Sequence, residues 1–172
     1  MRATGLVAAF IITFCGLALA EQAWQEYRPA GAGFRIEMPG KAQVSNEDIK
    51  TDVGLVPTST AVVELGTSVA FVVMHSNYTE TQLTGRTQER ILDGARDGSA
   101  RGKVLRSEQK LTVGGHPARR LIIDDKDGFV FLSQIVLVGA QLNQAIFVSR
   151  EKGAENSADA KRFIDSFAVV DR

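Results

Sequence analysis

Two histidines, His75 and His116, are the side chains of this sequence with the clearest capacity for acid–base or metal chemistry. A general base or a zinc ligand needs further ligands or carboxylates that converge on the imidazole. Neither histidine has another histidine or a carboxylate two to four residues further along the chain. We therefore predict structural or solvated roles for both. The sequence points to no catalytic, cofactor-binding or metal-binding residue.

The acidic segment 124–128 (DDKDG) has the composition of a calcium-binding loop without its spacing. An EF-hand loop carries oxygen ligands at alternate positions, a glycine at the sixth and a glutamate at the twelfth, between two helices. Placing Gly128 at the glycine position puts Ile123 at the first ligand position, where it offers no side-chain oxygen. Because Asp and Gly tolerate left-handed backbone geometry, the segment is predicted to be a hairpin turn.

Motifs of nucleophilic and phosphate-transferring enzymes are absent from the chain. It contains neither G-x-S-x-G nor a glycine-rich loop that leads into a lysine, and these elements position a nucleophilic serine or a bound phosphate. We predict a protein that is not an enzyme and needs no cofactor. An enzyme would require His75 or His116 to meet a buried carboxylate in a cleft, through contacts that form only in three dimensions.

Basic residues are frequent in the middle of the chain, and acids alternate with them. This pattern predicts a solvated face with internal ion pairs, and a patch for an anion or a partner is the alternative. The basic residues are Arg86, Arg90, Arg96, Arg101, Lys103, Arg106, Arg119 and Arg120, and the acids are Glu80, Glu89, Asp93, Asp97 and Glu108. Two aromatic residues near the start, Trp24 and Tyr27, are expected to pack on the core rather than to form an exposed anchor. The sequon at 77–79 (NYT) matters only in a glycosylating pathway.

Apolar periodicity predicts the elements that position these side chains. Residues 34–38 alternate between apolar and polar types, as a half-buried strand does, and Pro39-Gly40 ends it. Further strands are predicted at 58–65 and 69–75 as a hairpin, and at 104–113, 118–124, 129–138, 142–149 and 168–170, with a short exposed strand and loop at 48–57. Helical spacing predicts one helix over 84–102, capped by Thr84 and stopped by Gly102, and another that begins at Asn156 or Ser157.

The predicted strand 129–138 is apolar on both faces, which indicates the fold class. A sheet that is solvated on one face alternates cleanly between apolar and polar residues. We predict an α+β fold in which helices cover both faces of a central antiparallel β-sheet, an α/β/α sandwich.

Residues 1–20 have the pattern of an export signal. Arg2 precedes an apolar run at 5–17, and Ala18-Leu19-Ala20 is a small-x-small cleavage site. We predict cleavage after Ala20, a single domain at 21–172, and a periplasmic or secreted location. The only cysteine, Cys15, would leave with the signal, so disulfides and thiolate chemistry are excluded from the mature protein. Phe14 stands where a lipoprotein signal prefers a small residue, which disfavours lipidation of Cys15.

Charge and hydropathy exclude two classes of partner. The chain has 20 basic and 20 acidic residues, whereas nucleic-acid binders carry a basic excess. No second long apolar run follows residue 20, so we expect no stable membrane insertion after cleavage.

Four segments form a pattern along the chain: Tyr27 with 33–41 (GFRIEMPGK), 92–98 (LDGARDG), 114–119 (GGHPAR) and 162–167 (RFIDSF). In this order they resemble small exported bacterial proteins of the PsbP/Mog-like superfamily. Ala42 departs from the first pattern, which has a proline nearby. The resemblance implies an antiparallel sheet flanked by helices and a role as an accessory or binding protein, as in photosystem II assembly factors and a Ran-binding protein. It transfers no binding residue.

These observations predict a non-catalytic, exported accessory protein that acts with an unknown protein partner in the cell envelope. The alternative is a carrier of a small molecule or an ion that uses a pocket between sheet and helix. Fold likeness alone does not choose between them.

Overall fold

The computed structural model describes residues 23–170, and strands dominate this part of the chain. The predicted signal at 1–20 lies outside the described residues. The strands are β1 (Gln25–Tyr27), β2 (Phe34–Met38), β3 (Gln43–Thr51), β4 (Gly54–Leu65), β5 (Val69–Asn77), β6 (Val104–Val113), β7 (His116–Asp124), β8 (Val130–Val138), β9 (Gln141–Ser149) and β10 (Ala168–Val169). The helices are α1 (Glu80–Leu83), α2 (Gln88–Ser99) and α3 (Ala158–Asp165), and a 3-10 turn (Ala154–Asn156) precedes α3.

Two antiparallel sheets form the fold. The large sheet has seven strands in the order β3-β4-β5-β9-β8-β7-β6. The small sheet has three strands in the order β1-β2-β10. Every pairing between neighbouring strands is antiparallel. The mixed α+β class predicted from the sequence is therefore confirmed.

The main core lies between one face of the large sheet and a layer made of α3 and the small sheet. Phe163 and Ile164 of α3 pack there with Phe34 of β2 and Phe71 of β5. The ring of Phe163 meets that of Phe71 edge-on at 5.2 Å. The amphipathic stripe predicted for this helix thus faces the core, and Ser157 caps it by accepting from the Ala160 amide.

The opposite face of the large sheet carries a smaller core beneath α2. Leu92 is fully buried there against Leu121, Ile123, Ile135 and Leu137. Neighbouring strand residues point to opposite faces, so β8 contributes to both cores, as its apolar sequence predicts.

Helices cover the large sheet less completely than the predicted sandwich. The small sheet shares one face with α3, and α2 packs mainly on β7 and β8 of the other face. A helix is about 10 Å across, whereas seven strands spaced at about 4.8 Å span about 29 Å. Val72, Met74 and Ile146, which lie on the α2 side of β5 and β9, consequently stay half-exposed. None of the helices within residues 23–170 is long and apolar enough to cross a membrane.

Two element boundaries differ from the sequence predictions. Thr87, not Thr84, caps α2, because its side chain accepts from the Arg90 amide. Gly85 has a φ of 74°, a backbone conformation that a helix cannot continue through, and α1 precedes this break. The segment 48–57 is not a short strand and loop. It is the tip of the β3–β4 hairpin, whose register runs from Gln43 opposite Val62 to Thr51 opposite Gly54.

Candidate functional site

A groove of about 760 Å³ lies between α2 and the part of the sheet that α2 leaves open. We call it the α2 groove. The tip of the β3–β4 hairpin and the residues around α1 border it on the side away from β7. It exists because a single helix that packs mainly on β7 and β8 leaves much of this face open.

The floor of the α2 groove is mainly apolar. Side chains from four neighbouring strands, β5, β9, β8 and β7, and from α2 itself form it. They are Met74, Leu142, Ile146, Phe131, Ile123 and Ile91. Such a floor favours an apolar ligand surface, since removing apolar area from water is worth about 25 cal/mol per Å².

A short chain of hydrogen bonds crosses this floor. Gln144 Nε2 donates to Ser99 Oγ at 3.0 Å and to Ser133 Oγ at 2.9 Å. Ser99 Oγ donates in turn to the Ala95 carbonyl at 2.9 Å. These bonds connect the last turn of α2 to β8 and β9. A few polar groups on an apolar lining are the usual composition of a small-molecule site.

The rim of the groove is strongly basic. Five cationic side chains line it against two carboxylates: Lys50, Arg86, Arg90, Arg101 and Lys103 against Asp52 and Asp97. The groove therefore has an excess of three positive charges, although the whole chain is neutral.

Both acids of the rim already have partners. Asp52 accepts from Arg86 Nη2 at 2.8 Å, and Asp97 accepts from Arg96 Nε at 2.8 Å. Within residues 23–170, no carboxylate lies within ion-pair distance of the other four rim cations. Those four cations can interact with an added anion without breaking an existing ion pair. Lys103 does make other contacts, because its Nζ donates to the Ser99 carbonyl and lies over the Phe131 ring.

An ion cluster on the far side of α2 holds the helix in place. The Arg119 side chain is only 2% exposed, and its Nη2 lies 2.7 Å from Glu89 and 3.5 Å from Asp93, both on α2. Its Nε lies 3.0 Å from Glu108 of β6, at an angle that does not make a hydrogen bond. Lys110 also contacts Glu89. The cluster joins the first turns of α2 to β6 and β7 and so fixes one wall of the groove.

Titration of the cluster follows from these contacts. Hydrogen bonds from Arg119 and then Lys110 lower the pKa of Glu89 to about 2. Burial opposes the charged form of Arg119, but the hydrogen bonds and charges of Glu89 and Asp93 outweigh it and raise the Arg119 pKa. Glu89 and Arg119 are therefore both charged at neutral pH.

Tyr78 lines the groove beside the Asp52–Arg86 pair. Partial burial, and then the negative charge of Asp52, raise the pKa of its hydroxyl, while Arg86 lowers it. The phenol is thus neutral at physiological pH. It adds a hydroxyl to a wall that is otherwise charged.

The two histidines lie apart from the groove. His75 is buried on β5, where its Nδ1 and Asn143 Oδ1 form a hydrogen bond of 2.7 Å and its ring lies 5.8 Å from that of Phe34. His116 begins β7 and is half-buried. These contacts place His75 in the packing between the two sheets, and the structural or solvated role of both histidines stays a prediction. Within residues 23–170, no group of three or more His, Cys, Asp or Glu side chains is placed to hold a metal ion.

The acidic segment at 124–128 is the predicted turn. Asp125 Oδ1 accepts from the amides of Asp127 and Phe129, both at 2.9 Å. Gly128 has a φ of 83°, which a glycine adopts without strain. The segment joins β7 to β8.

The predicted internal ion pairs and the predicted core packing of Trp24 are both present in the structure. Arg106 pairs with Asp124 and Glu155, and Arg120 pairs with Asp165, so the expected internal ion pairs are present. Trp24 packs edge-on against Phe71 at 5.7 Å, as predicted for a core-packing residue.

The sequon residues make local contacts. Asn77 Oδ1 accepts from Gln141 Nε2 at 2.9 Å, and the Thr79 side chain caps α1.

A pocket between sheet and helix belongs to the alternative prediction, and the sequence does not identify its residues. Arg90, Arg101 and Lys103 belong to an interleaved charge pattern that does not place them around a groove. Lys50 and Phe131 are far from them in sequence and reach the groove only through the sheet register. The one feature of the sequence that indicates the groove is a pair of glycines, Gly94 and Gly98, inside a predicted helix. Both glycines line the groove.

Comparison with known proteins gives information on the fold alone. No family model and no curated protein matches the sequence. The solved structure of the cyanobacterial PsbP protein CyanoP from Synechocystis sp. PCC 6803 is similar, with a TM-score of 0.52 and 17% identity over 92% of this chain and 98% of that one. The fold is therefore PsbP-like. A protein of unknown function from Pseudomonas aeruginosa, PA94, aligns with a TM-score of 0.47 and 11% identity over 87% of this chain and 97% of that one.

Proposed function

We propose that this protein is an exported, non-catalytic binding protein and that the α2 groove is its binding site. The groove carries the proposal. Its volume of about 760 Å³ falls within the roughly 300–1,000 Å³ that small-molecule sites occupy. Its apolar floor and few polar groups also fit that class. The pattern of residues 1–20 supports export.

Two glycines of α2 support the same site. Gly94 and Gly98 each lower helix stability by about 1 kcal/mol relative to alanine. A Cβ added at either position would meet no atom within 4 Å, so tight packing does not require a glycine there. Both line the groove. Absence of side chains at these positions keeps the groove open along the helix backbone.

A thermal-shift screen of metabolites, lipids and metal ions tests the proposal. A ligand at 100 times its Kd stabilises the protein that binds it by about 2.7 kcal/mol. We expect at least one ligand that stabilises the wild type. That stabilisation should vanish in Gly94→Leu, which fills the groove, and persist in Gly94→Ala, which does not. Ligands that stabilise the wild type and Gly94→Leu equally, or no ligand at all, would contradict the proposal.

A protein partner in the cell envelope is the second candidate, and the free edge of β6 favours it. Val104 and Leu105 on this edge strand are 66% and 37% exposed, and an unpaired edge can accept a strand from another chain. A photo-crosslinker at Val104 should capture one discrete protein in intact cells. The same crosslinker at Val44, which is 52% exposed on the opposite edge strand, is the control. Identical adducts from both positions would count against a β6 interface.

A further inference from the structure

We infer that the ligand of the α2 groove is a single-chain amphiphile with one acidic headgroup. The inference rests on the proposed function and specifies the chemistry of its ligand. Two properties of the groove carry it, an apolar floor for a chain and a rim of cations for a headgroup.

The floor matches an alkyl chain rather than a polar metabolite. Met74, Leu142 and Ile146 form a continuous half-exposed strip, because Leu142 and Ile146 lie on β9 on either side of Gln144, which is opposite Met74. Phe131 extends this strip on β8. Gln144 Nε2 already donates to Ser99 Oγ and Ser133 Oγ, and Ser99 Oγ donates to the Ala95 carbonyl, so these donors are already used within the protein.

The positive charge of the rim favours a ligand whose headgroup is negatively charged. Lys50, Arg90, Arg101 and Lys103 have no carboxylate partner among the described residues, whereas both rim acids are paired. A carboxylate or phosphate entering the groove gains charge-assisted hydrogen bonds from such cations. A cationic headgroup would meet net repulsion.

The glycine pair gives the amphiphile access to the helix. Arg90 lies four residues before Gly94, and Arg101 lies three residues after Gly98, so the cations flank the open stretch of α2. An alkyl chain can lie along this stretch while its headgroup reaches a cation at one end. A side chain as large as that of leucine at Gly94 would occupy that path, whereas the single methyl group of alanine would leave it open.

Calorimetric titration with four probes tests the inference: laurate, dodecyl maltoside, dodecyltrimethylammonium and acetate. We expect laurate to bind with one-to-one stoichiometry, at least about tenfold more tightly than dodecyl maltoside, since its carboxylate gains charge-assisted hydrogen bonds that the neutral maltoside cannot form. We expect no binding of dodecyltrimethylammonium or of acetate, which lacks the chain. Laurate binding should weaken as ionic strength rises.

Matched variants assign the binding to the groove and to its charge. Replacing Lys50, Arg90, Arg101 and Lys103 together by glutamine should weaken laurate binding at least about tenfold. The control neutralises four exposed lysines outside the groove, Lys41, Lys126, Lys152 and Lys161, and should leave laurate binding unchanged. Gly94→Leu should abolish laurate binding, and Gly94→Ala should retain it.

Each contrary outcome has a distinct meaning. Equal binding of laurate and dodecyl maltoside, with loss in Gly94→Leu, would overturn the acidic headgroup and leave the groove as the binding site. Equal weakening in the two charge variants would overturn the role of the rim. Laurate binding that survives Gly94→Leu would contradict both this inference and the proposed function. Failure of all four probes would overturn this inference alone, because the thermal-shift screen tests the groove with other ligands.

Discussion

Arg119 is the charged side chain on which the position of α2 depends. Its guanidinium is almost fully buried, and three carboxylates on two elements surround it. Burying a cation is unfavourable unless partners compensate it, and removing one member of such a group leaves uncompensated charges. Without Arg119, Glu89 would keep only Lys110, and Asp93 and Glu108 would keep only Arg96, so α2 would lose its buried ionic contact with β7.

We predict that Arg119→Ala destabilises the protein by about 3 kcal/mol. Urea unfolding at pH 7 measures the change. Arg90→Ala is the control, because Arg90 is exposed, has no described carboxylate partner and lies on α2, the helix that Arg119 contacts. Its effect should stay within about 0.5 kcal/mol. Equal effects of the two substitutions would show that the Arg119 cluster does not hold α2.

The lowered pKa of Glu89 makes the free energy of unfolding depend on pH, and the direction of this dependence can be predicted. Its pKa is about 2 in the folded protein, below its ordinary value of 4.5. A lowered pKa stabilises the folded state above the unfolded pKa, and this contribution disappears as pH falls toward the folded pKa. The difference in unfolding free energy between wild type and Glu89→Gln should therefore be constant above about pH 5 and shrink between about pH 4.5 and pH 2. Urea titrations of both proteins across this range check it; a difference that does not change with pH would contradict the Glu89 contacts.

Helix α2 has a defined start and a defined buried face, although it contains two glycines, which are weak helix formers. Its N-cap at Thr87 and its buried Leu92 fix where it starts and which face it buries. Gly94 and Gly98 weaken its interior without any close contact that would demand a glycine. The helix has therefore kept an open surface at some loss of stability.

We predict that Gly94→Ala and Gly98→Ala each stabilise the unliganded protein by up to about 1 kcal/mol, with the larger effect at the mid-helix Gly94. The reason is the lower conformational entropy of alanine in the unfolded chain together with its better helix propensity. Thermal and urea unfolding measure both. Gly114→Ala is a contrasting substitution, because Gly114 has a φ of 57° and a Cβ there would lie 3.2 Å from Val169 Cβ. It should destabilise. Destabilisation by Gly94→Ala would contradict the open space beside α2.

Sequence patterns predicted the elements that are amphipathic or fully buried, and they failed where burial is weak. The alternation at Phe34–Met38 and the two-sided apolar run of β8 were sufficient for correct strands. Nearly all of β3 is exposed on a sheet edge. Its sequence is therefore mostly polar and lacks the alternation of apolar and polar residues that indicates a strand. For this reason the sequence does not predict the long β3–β4 hairpin. Thr84 and Thr87 are both suitable N-cap residues by type. Only the left-handed backbone at Gly85, which lies between them, shows that α2 begins after Thr87 and not after Thr84. The groove combines Lys50 with Phe131, and no local pattern connects positions that meet only through sheet order.

At the scale of the whole molecule, a neutral protein carries its positive charge unevenly. Five cationic and two acidic side chains line the groove, and the rest of the chain carries the excess of acidic residues that brings the net charge to zero. A local field of this kind can attract an anion without making the protein a general binder of polyanions. Neutrality of the whole chain and a basic groove are thus compatible.

Export is a property of the whole molecule that the N-terminal pattern predicts. We expect the protein recovered from the periplasm or medium of a bacterial host to begin at Glu21, as measured by intact mass and N-terminal sequencing. Replacing both Ala18 and Ala20 by lysine should block cleavage, because signal peptidase requires small residues there. Cleavage at another bond, or retention of the full chain in the cytoplasm, would contradict the prediction.

The order of the large sheet has a consequence for how the chain folds. Strands β3 to β5 and β6 to β9 are two meanders of consecutive hairpins, and only the β5–β9 pairing joins them. This seam pairs Val69 with Ser149 and Asn77 with Gln141, so it closes a long loop, which slows folding. We expect pulse-labelled hydrogen exchange to protect the hairpin amides before those of the seam. Until the seam closes, β5 and β9 present unpaired edges that include Phe71 and Phe147, and this intermediate is the state most prone to aggregate.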